Sequence, residues 1–227
     1  MTNWSERLAV FDLETTGVDI DRDRVVTAHI GVIDAEGVVL EHRSWLVNPG
    51  VAIPAGATAV HGITTEHAQA AGIEAVEAIS QIVTELNRLN SQQIPVVAFN
   101  ASYDFSLLDR EARRHGIDPF VPRLAIDPYV LDKAMDRYRR GKRTLTAACE
   151  LYGVPLEGAH EASADAIAAG RVAQAIARAF PELTERSAED LHVQQVIWQR
   201  EQAESFADWK RRNGDPSFVA DVGWPTR

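Results

Sequence analysis

The sequence predicts an α/β fold built on a mixed sheet, because three extended segments come first and helices then alternate with short apolar runs. Leu8 to Glu14, Val25 to Asp34 and Val38 to Val47 carry β-type residues separated by turn formers, which reads as an antiparallel meander. Pro95 to Phe99 is a short apolar run of the kind buried on both faces of a sheet, and Leu124 to Asp127 is a weaker strand candidate, giving five strands. With 227 residues and 45% apolar content, the chain has enough material for a sizeable core.

The first strand holds Val10-Phe11-Asp12-Leu13-Glu14-Thr15-Thr16-Gly17. Side chains alternate along a strand, so Asp12 and Glu14 project from one face while Leu13 leaves from the other. Two adjacent carboxylates repel and raise each other's pKa unless a cation lies between them. A hard divalent ion such as Mg2+ suits such a pair, and Gly17 permits a tight turn behind it.

The segment from Asn48 to Thr58 contains two prolines and two glycines and is expected to be loop, with Thr64 placed to cap a short helix. Val76, Ile79, Val83 and Leu86 recur at helical spacing, so Glu74 to Leu89 is expected to form an amphipathic helix. Asn100-Ala101-Ser102 is suited to capping a helix over Tyr103 to His115, which Gly116 ends. Leu145 to Tyr152 and the alanine-rich Ser163 to Phe180 complete the helical pattern, the latter stopped by Pro181. Beyond Pro181 the composition changes, and Leu191, Trp198 and Trp209 fall near one line of a helix, flanked by Phe206.

The formal charge of -10 argues against a protein that coats nucleic acid nonspecifically. Acids gathered around metal ions nevertheless count as negative until the ions reverse their field, so a nucleic-acid enzyme is not excluded. Arg137-Tyr138-Arg139-Arg140-Gly141-Lys142-Arg143 is the sharpest basic run, and Arg139, Arg140, Lys142 and Arg143 are candidates for phosphate contact. The single Cys149 excludes an intrachain disulfide and a multi-cysteine zinc site. The start of the chain has no signal-peptide pattern and no apolar run long enough to span a bilayer, so a cytoplasmic protein without membrane contact is expected.

Further along, Asp104 falls in the first turn of a helix that follows a buried strand, where open sheets place their ligands. His160 and Asp165 lie among small residues in Gly158-Ala159-His160-Glu161-Ala162-Ser163-Ala164-Asp165. Phe-Asp-Leu-Glu-Thr-Thr-Gly at 11 to 17, His-Gly-Ile-Thr at 61 to 64, Phe-Asn-Ala-Ser-Tyr-Asp at 99 to 104 and the His160 to Asp165 unit occur in order. With those motifs the chain resembles the DEDDh, or DnaQ-like, 3'-to-5' exonucleases from about Arg7 to Phe180.

That resemblance implies an RNase H-like fold with helices on both faces of the sheet, an exonuclease domain over 1–180 and a C-terminal helical extension over 181–227. It implies Asp12, Glu14, Asp104 and Asp165 as ligands of two Mg2+ or Mn2+ ions and His160 as general base. Thr15, Gly17, His61, Ile63, Asn100 and Tyr103 would meet the terminal nucleotide. The implied substrate is the 3' end of a nucleic acid, single-stranded or frayed, most naturally DNA. An oligoribonuclease or RNA-trimming exonuclease, and a proofreading or accessory subunit bound to a polymerase, are the alternatives, and a protein partner would attach through 181–227. The chain departs from many relatives at Ala28-His29-Ile30-Gly31, where an acid often precedes Ile-Gly, and at Pro128 after Asp127, where threonine is frequent.

Overall fold

A computed structural model describes residues 3–156 and 161–227. The meander is formed by β1 (Leu8–Thr15), β2 (Val25–Ile33) and β3 (Val39–Asn48), with Leu8 opposite Ile33 and Thr27 opposite Leu46. Asp34 sets the turn between β2 and β3, its carboxylate accepting from the Glu36 and Val38 amides while Gly37 takes a φ of 77°. β5 (Val96–Val97) then joins β1 in parallel, and β6 (Ala125–Ile126) joins β5.

The sheet has six strands where the sequence predicts five, in the order β4-β3-β2-β1-β5-β6. The extra strand, β4 (Ile73–Glu74), pairs in parallel with Val47 and Asn48. Two residues are too few to leave an alternating pattern, and Gly72 makes the pairing possible. A side-chain carbon there would stand 2.6 Å from the Asn48 nitrogen. The expected loop over 48–58 also gives way to helix at its end: α1 (Ala55–His61) starts directly after Pro54, whose fixed φ suits a helix N-terminus. Thr64 caps α2 (Thr65–Ala71) as expected, accepting from the His67 amide.

Alternate residues of β1 enter two cores. Ala9, Phe11 and Leu13 pack with α3 (Ala75–Ser91) and α4 (Ser102–Arg114), while Leu8 and Val10 pack with α6 (Leu145–Tyr152) and α7 (Ala162–Ala179). Along α3 the buried stripe is Ile79, Ile82, Val83, Leu86 and Leu89. Val76 is half exposed because the short side chains of Ala75 and Ala78 fill the contact instead.

Gly170 brings α7 onto the sheet. A β-carbon at that position would stand 2.4 Å from Val10 Cγ1 and 2.8 Å from Ile33 Cδ1. Gly170→Ala gains about 1 kcal/mol of helix propensity, but forcing the helix outward costs about 1–3 kcal/mol. The variant is therefore expected to be destabilised on balance, with Gly170→Val worse, as read from the midpoints of urea unfolding.

Residues 188–212 form α8 (Ala188–Arg212), capped by Ser187 and lying along the edge of β6. The Ala125 amide donates to His192 Nδ1 at 3.1 Å, Gln195 Oε1 accepts from the Asp127 amide at 2.7 Å, and Gln195 Nε2 donates to the Ala125 carbonyl at 3.1 Å. Two side chains thus complete the backbone bonding that another strand would supply. Leu191 is buried, whereas Phe206 and Trp209, further along the same helix, are half exposed. Among the described residues no helix is long and apolar enough to cross a membrane.

Candidate active site

β1 presents Asp12 and Glu14 on the face covered by α7, opposite His29 and Thr27 of β2. Asp165 reaches them from the first turn of α7, where the helix dipole favours a negative side chain. One oxygen from each of Asp12, Glu14 and Asp165 lies within 4.8 Å of the others. The close contact of Gly170 with Val10 and Ile33 is what lets the start of α7 approach this near. Residues more than 150 positions apart in sequence therefore share one charged pocket.

Asp104 stands behind the three. It is buried in the first turn of α4, and its Oδ1 accepts from the Leu13 amide at 3.2 Å. Burial, together with the charges of Asp127 and Glu14, pushes its carboxyl up to about 8 despite that hydrogen bond. Burial and then the fields of Asp104, Glu14 and Asp165 raise Asp12 well above the usual carboxylate range. Glu14 is pushed up to about 7 by burial and by Asp165.

Such a group of acids is held in an electrostatically costly state, which cation binding relieves. The donor set is entirely carboxylate oxygen and mostly buried at Asp12, Glu14 and Asp165 yet still reachable from solvent, which fits Mg2+ or Mn2+. His160 lies outside the described residues, so the geometry assembles four of the five predicted catalytic groups.

Of the predicted nucleotide-binding residues, Thr15, Gly17 and Tyr103 meet at the turn after β1, His61 and Ile63 line an adjoining cavity, and Asn100 stands apart. Tyr103 places its hydroxyl 2.6 Å from Thr15 Oγ1 and 2.5 Å from the Gly17 carbonyl oxygen, tying α4 to the turn after β1. Those hydroxyls are occupied with one another, while the ring of Tyr103 remains half-buried. His61, whose imidazole lies beside the Thr15 backbone, and Ile63 line with Glu14, Ser44, Trp45 and Glu161 a cavity of about 320 Å³ that borders the acids. His61 Nδ1 accepts from the Ile63 amide at 3.2 Å, and burial lowers the imidazole pKa.

Asn100 is exposed beside the start of α4 and adopts a φ of 61°, a left-handed conformation that asparagine tolerates better than most residues. It does not cap α4 through its side chain, and the residue in the capping position is Ala101. The backbone is held from elsewhere: Asp127 accepts from the amides of Asn100 and Ala101, both at 2.9 Å, from Tyr129 at 3.0 Å, and from Trp224 Nε1 at 3.2 Å. Burial nevertheless lifts the Asp127 carboxyl to about 6. Nothing local in the sequence marks this positioning role beyond a helix-start signal, Asp followed by Pro128 at the start of α5 (Pro128–Met135).

The basic run is only partly available to a ligand. Arg139 and Arg143 turn inward onto the buried Asp132, Arg143 at 2.8 Å, and Tyr152 donates to the same carboxylate at 2.9 Å. A carboxylate buried this deeply demands such partners, so these two arginines fasten the 136–144 loop to α5. Arg137, Arg140 and Lys142 remain exposed.

A family model described as Exonuclease (RNase_T) matches residues 9–173. The DNA polymerase III subunit epsilon-like protein of Rhodobacter capsulatus is 32% identical over 181 residues, covering 78% of this chain and 24% of the relative. The PolC-type DNA polymerase III of Streptococcus sanguinis is 29% identical over 164 residues, covering 72% of this chain and 10% of the relative. The chain thus spans about a tenth to a quarter of the length of these curated relatives. Among solved structures, E. coli exonuclease I in complex with a dT13 oligonucleotide superposes with a TM-score of 0.67 at 20% identity. That match covers 79% of this chain and 43% of the other.

Proposed function

The chain belongs to the exonuclease family, and from that premise we propose that it is a metal-dependent 3'-to-5' exonuclease acting on single-stranded or frayed DNA ends and releasing nucleoside 5'-monophosphates. The observation that carries this reading is the convergence of Asp12, Glu14 and Asp165 oxygens within 4.8 Å. Three carboxylates so close repel one another when ionised, and a divalent ion relieves that repulsion. Bound Mg2+ or Mn2+ would supply a nucleophilic hydroxide at neutral pH and offset the charge that develops on the leaving oxygen.

Asp12, Glu14 and Asp165 would hold one ion, and Asp12 and Asp104 would serve a second, Asp104 directly or through water. Asp104 would also fix Leu13, and with it the spacing of the two β1 acids. His160 would accept the proton of the attacking water on an imidazole nitrogen, a task suited to a group titrating near neutrality. The side chains of His61, Ile63, Asn100 and Tyr103 would orient the terminal base and sugar. The backbone around Thr15 and Gly17 would meet the 3'-hydroxyl. We assign catalysis to 1–180, a supporting extension to 181–227, and the cytoplasm as the working compartment.

Incubation with Mg2+ or Mn2+ and 5'-labelled single-stranded DNA, duplex DNA and RNA tests the proposal. Stepwise loss from the 3' end of the single strand is the expected result, and faster loss from RNA would move the enzyme to the oligoribonuclease class. Endonucleolytic fragments or the absence of any hydrolysis would sink the reading. His160→Ala is expected to lose about a hundredfold or more in kcat, in line with the usual contribution of a general base. Metal affinity, followed by calorimetry, should stay near wild type.

A further inference from the structure

A second recess opens beside the candidate site, between the turn after β5, α5 and the C-terminal segment. It has a volume of about 270 Å³ and is lined in part by Asn100, Tyr129, Lys133, Gln199, Phe206 and Trp224. β6, which leads into α5, lies two strands from β1, about 10 Å at ordinary sheet spacing. Asn100 borders both this recess and the turn that begins α4.

Its chemistry combines π faces, a cation and a buried amide acceptor. The Lys133 ammonium sits 4.7 Å from the centre of the Tyr129 ring. Phe206 stacks on Trp209 with centroids 6.0 Å apart, meets Phe218 edge-on at 5.5 Å, and has the Lys210 ammonium 5.7 Å from its ring. Gln199 Oε1 is buried without a hydrogen-bond partner among the described residues. The acids at the recess are engaged, Asp221 by Arg227 at 2.7 Å and Asp127 by four N–H donors.

We propose that this recess and the aromatic face of α8 bind the single strand upstream of the scissile bond, with bases against Tyr129 and Phe206 and a phosphate on Lys133. This rests on the exonuclease reading and extends it to the path of the substrate. Rings accept any base face, ammonium groups take phosphates, and an unpartnered amide oxygen accepts from a base N–H, so the combination suits a single-stranded nucleic acid. An apolar peptide would leave both the lysine and the glutamine oxygen unsatisfied.

Fluorescence anisotropy of the full chain with 5'-labelled octathymidylate in EDTA, over a range of salt, is the test. Lys133→Gln is expected to lower the slope of log affinity against log salt by about 0.7, the loss of one phosphate contact. Phe206→Ala should weaken binding about five- to hundredfold, the effect of one lost stack. In the metal-loaded enzyme both variants should lose more kcat/KM on the octamer than on dithymidylate, which is too short to reach the recess. Unchanged salt slope and affinity, or equal losses on both lengths, would overturn the assignment and leave the aromatic face to a protein partner. If wild-type protein hydrolyses neither substrate, the nuclease reading falls and the anisotropy alone judges the recess.

Discussion

Asp12→Asn is expected to abolish turnover on every substrate while making the metal-free protein more resistant to heat. Asp12 stands where the fields of Asp104, Glu14 and Asp165 meet, and burial together with those charges already works against its ionisation. An amide of the same shape removes one of the repelling charges, so the apo fold gains. It also removes a carboxylate oxygen proposed to serve both ions. Loss of a residue that merely supports a metal ligand costs about 10–100-fold, so loss of the shared ligand is expected to exceed about a hundredfold in kcat. Calorimetric melting without metal and steady-state hydrolysis with Mg2+ read the two effects separately. A variant that keeps a tenth of wild-type activity would remove Asp12 from the centre of the mechanism.

Metal-free protein is expected to melt at progressively lower temperature as pH rises from 5 to 8.5, and saturating Mg2+ should cancel most of that fall. Glu14 and Asp104 titrate at about 7 and about 8 in the folded chain, raised chiefly by burial. The folded state therefore binds more protons than the unfolded state between about pH 4 and pH 8. The associated stability is complete below the unfolded carboxylate range and disappears as pH passes through the folded values. Mg2+ competes with those protons, so its effect is larger at pH 8 than at pH 5. At a hundred times its dissociation constant an ion adds about 2.7 kcal/mol, or about 5–10 °C for a chain of this size. Equal Mg2+ shifts at both pH values would show that the raised carboxyls do not hold the ion, and Glu14→Gln should flatten the metal-free pH profile.

The acids were legible because strand alternation and helix position are local properties. Asp12 and Glu14 had to share a face once Leu8 to Glu14 was extended, and Asp104 and Asp165 each lie in the first turn of a helix. The three long strands could be read for the same reason. What escaped was non-local. β4 is two residues held by the close approach at Gly72, and α1 begins after a proline within a stretch whose composition signals loop. Asp127 looks like the end of a weak strand until the amides of Asn100, Ala101 and Tyr129 and the Trp224 indole are seen to converge on it. Arg139 and Arg143 look solvated in sequence because their partner, Asp132, is buried only when α5 and α6 pack. The open arginine and lysine side chains of that loop are fewer than its composition suggests.

The pairing of His192 and Gln195 with Ala125 and Asp127 has a consequence for association. A parallel edge normally offers a template on which a neighbouring chain can lay a strand. Here α8 occupies that template at the β6 border, whereas at the other border β4 pairs only with Val47 and Asn48 of the ten-residue β3. The β6 border of the native molecule is therefore closed to a neighbouring strand. Conditions that peel α8 away before the sheet melts would uncover the β6 border, making detachment of that helix the step at which warming turns from reversible loosening into aggregation.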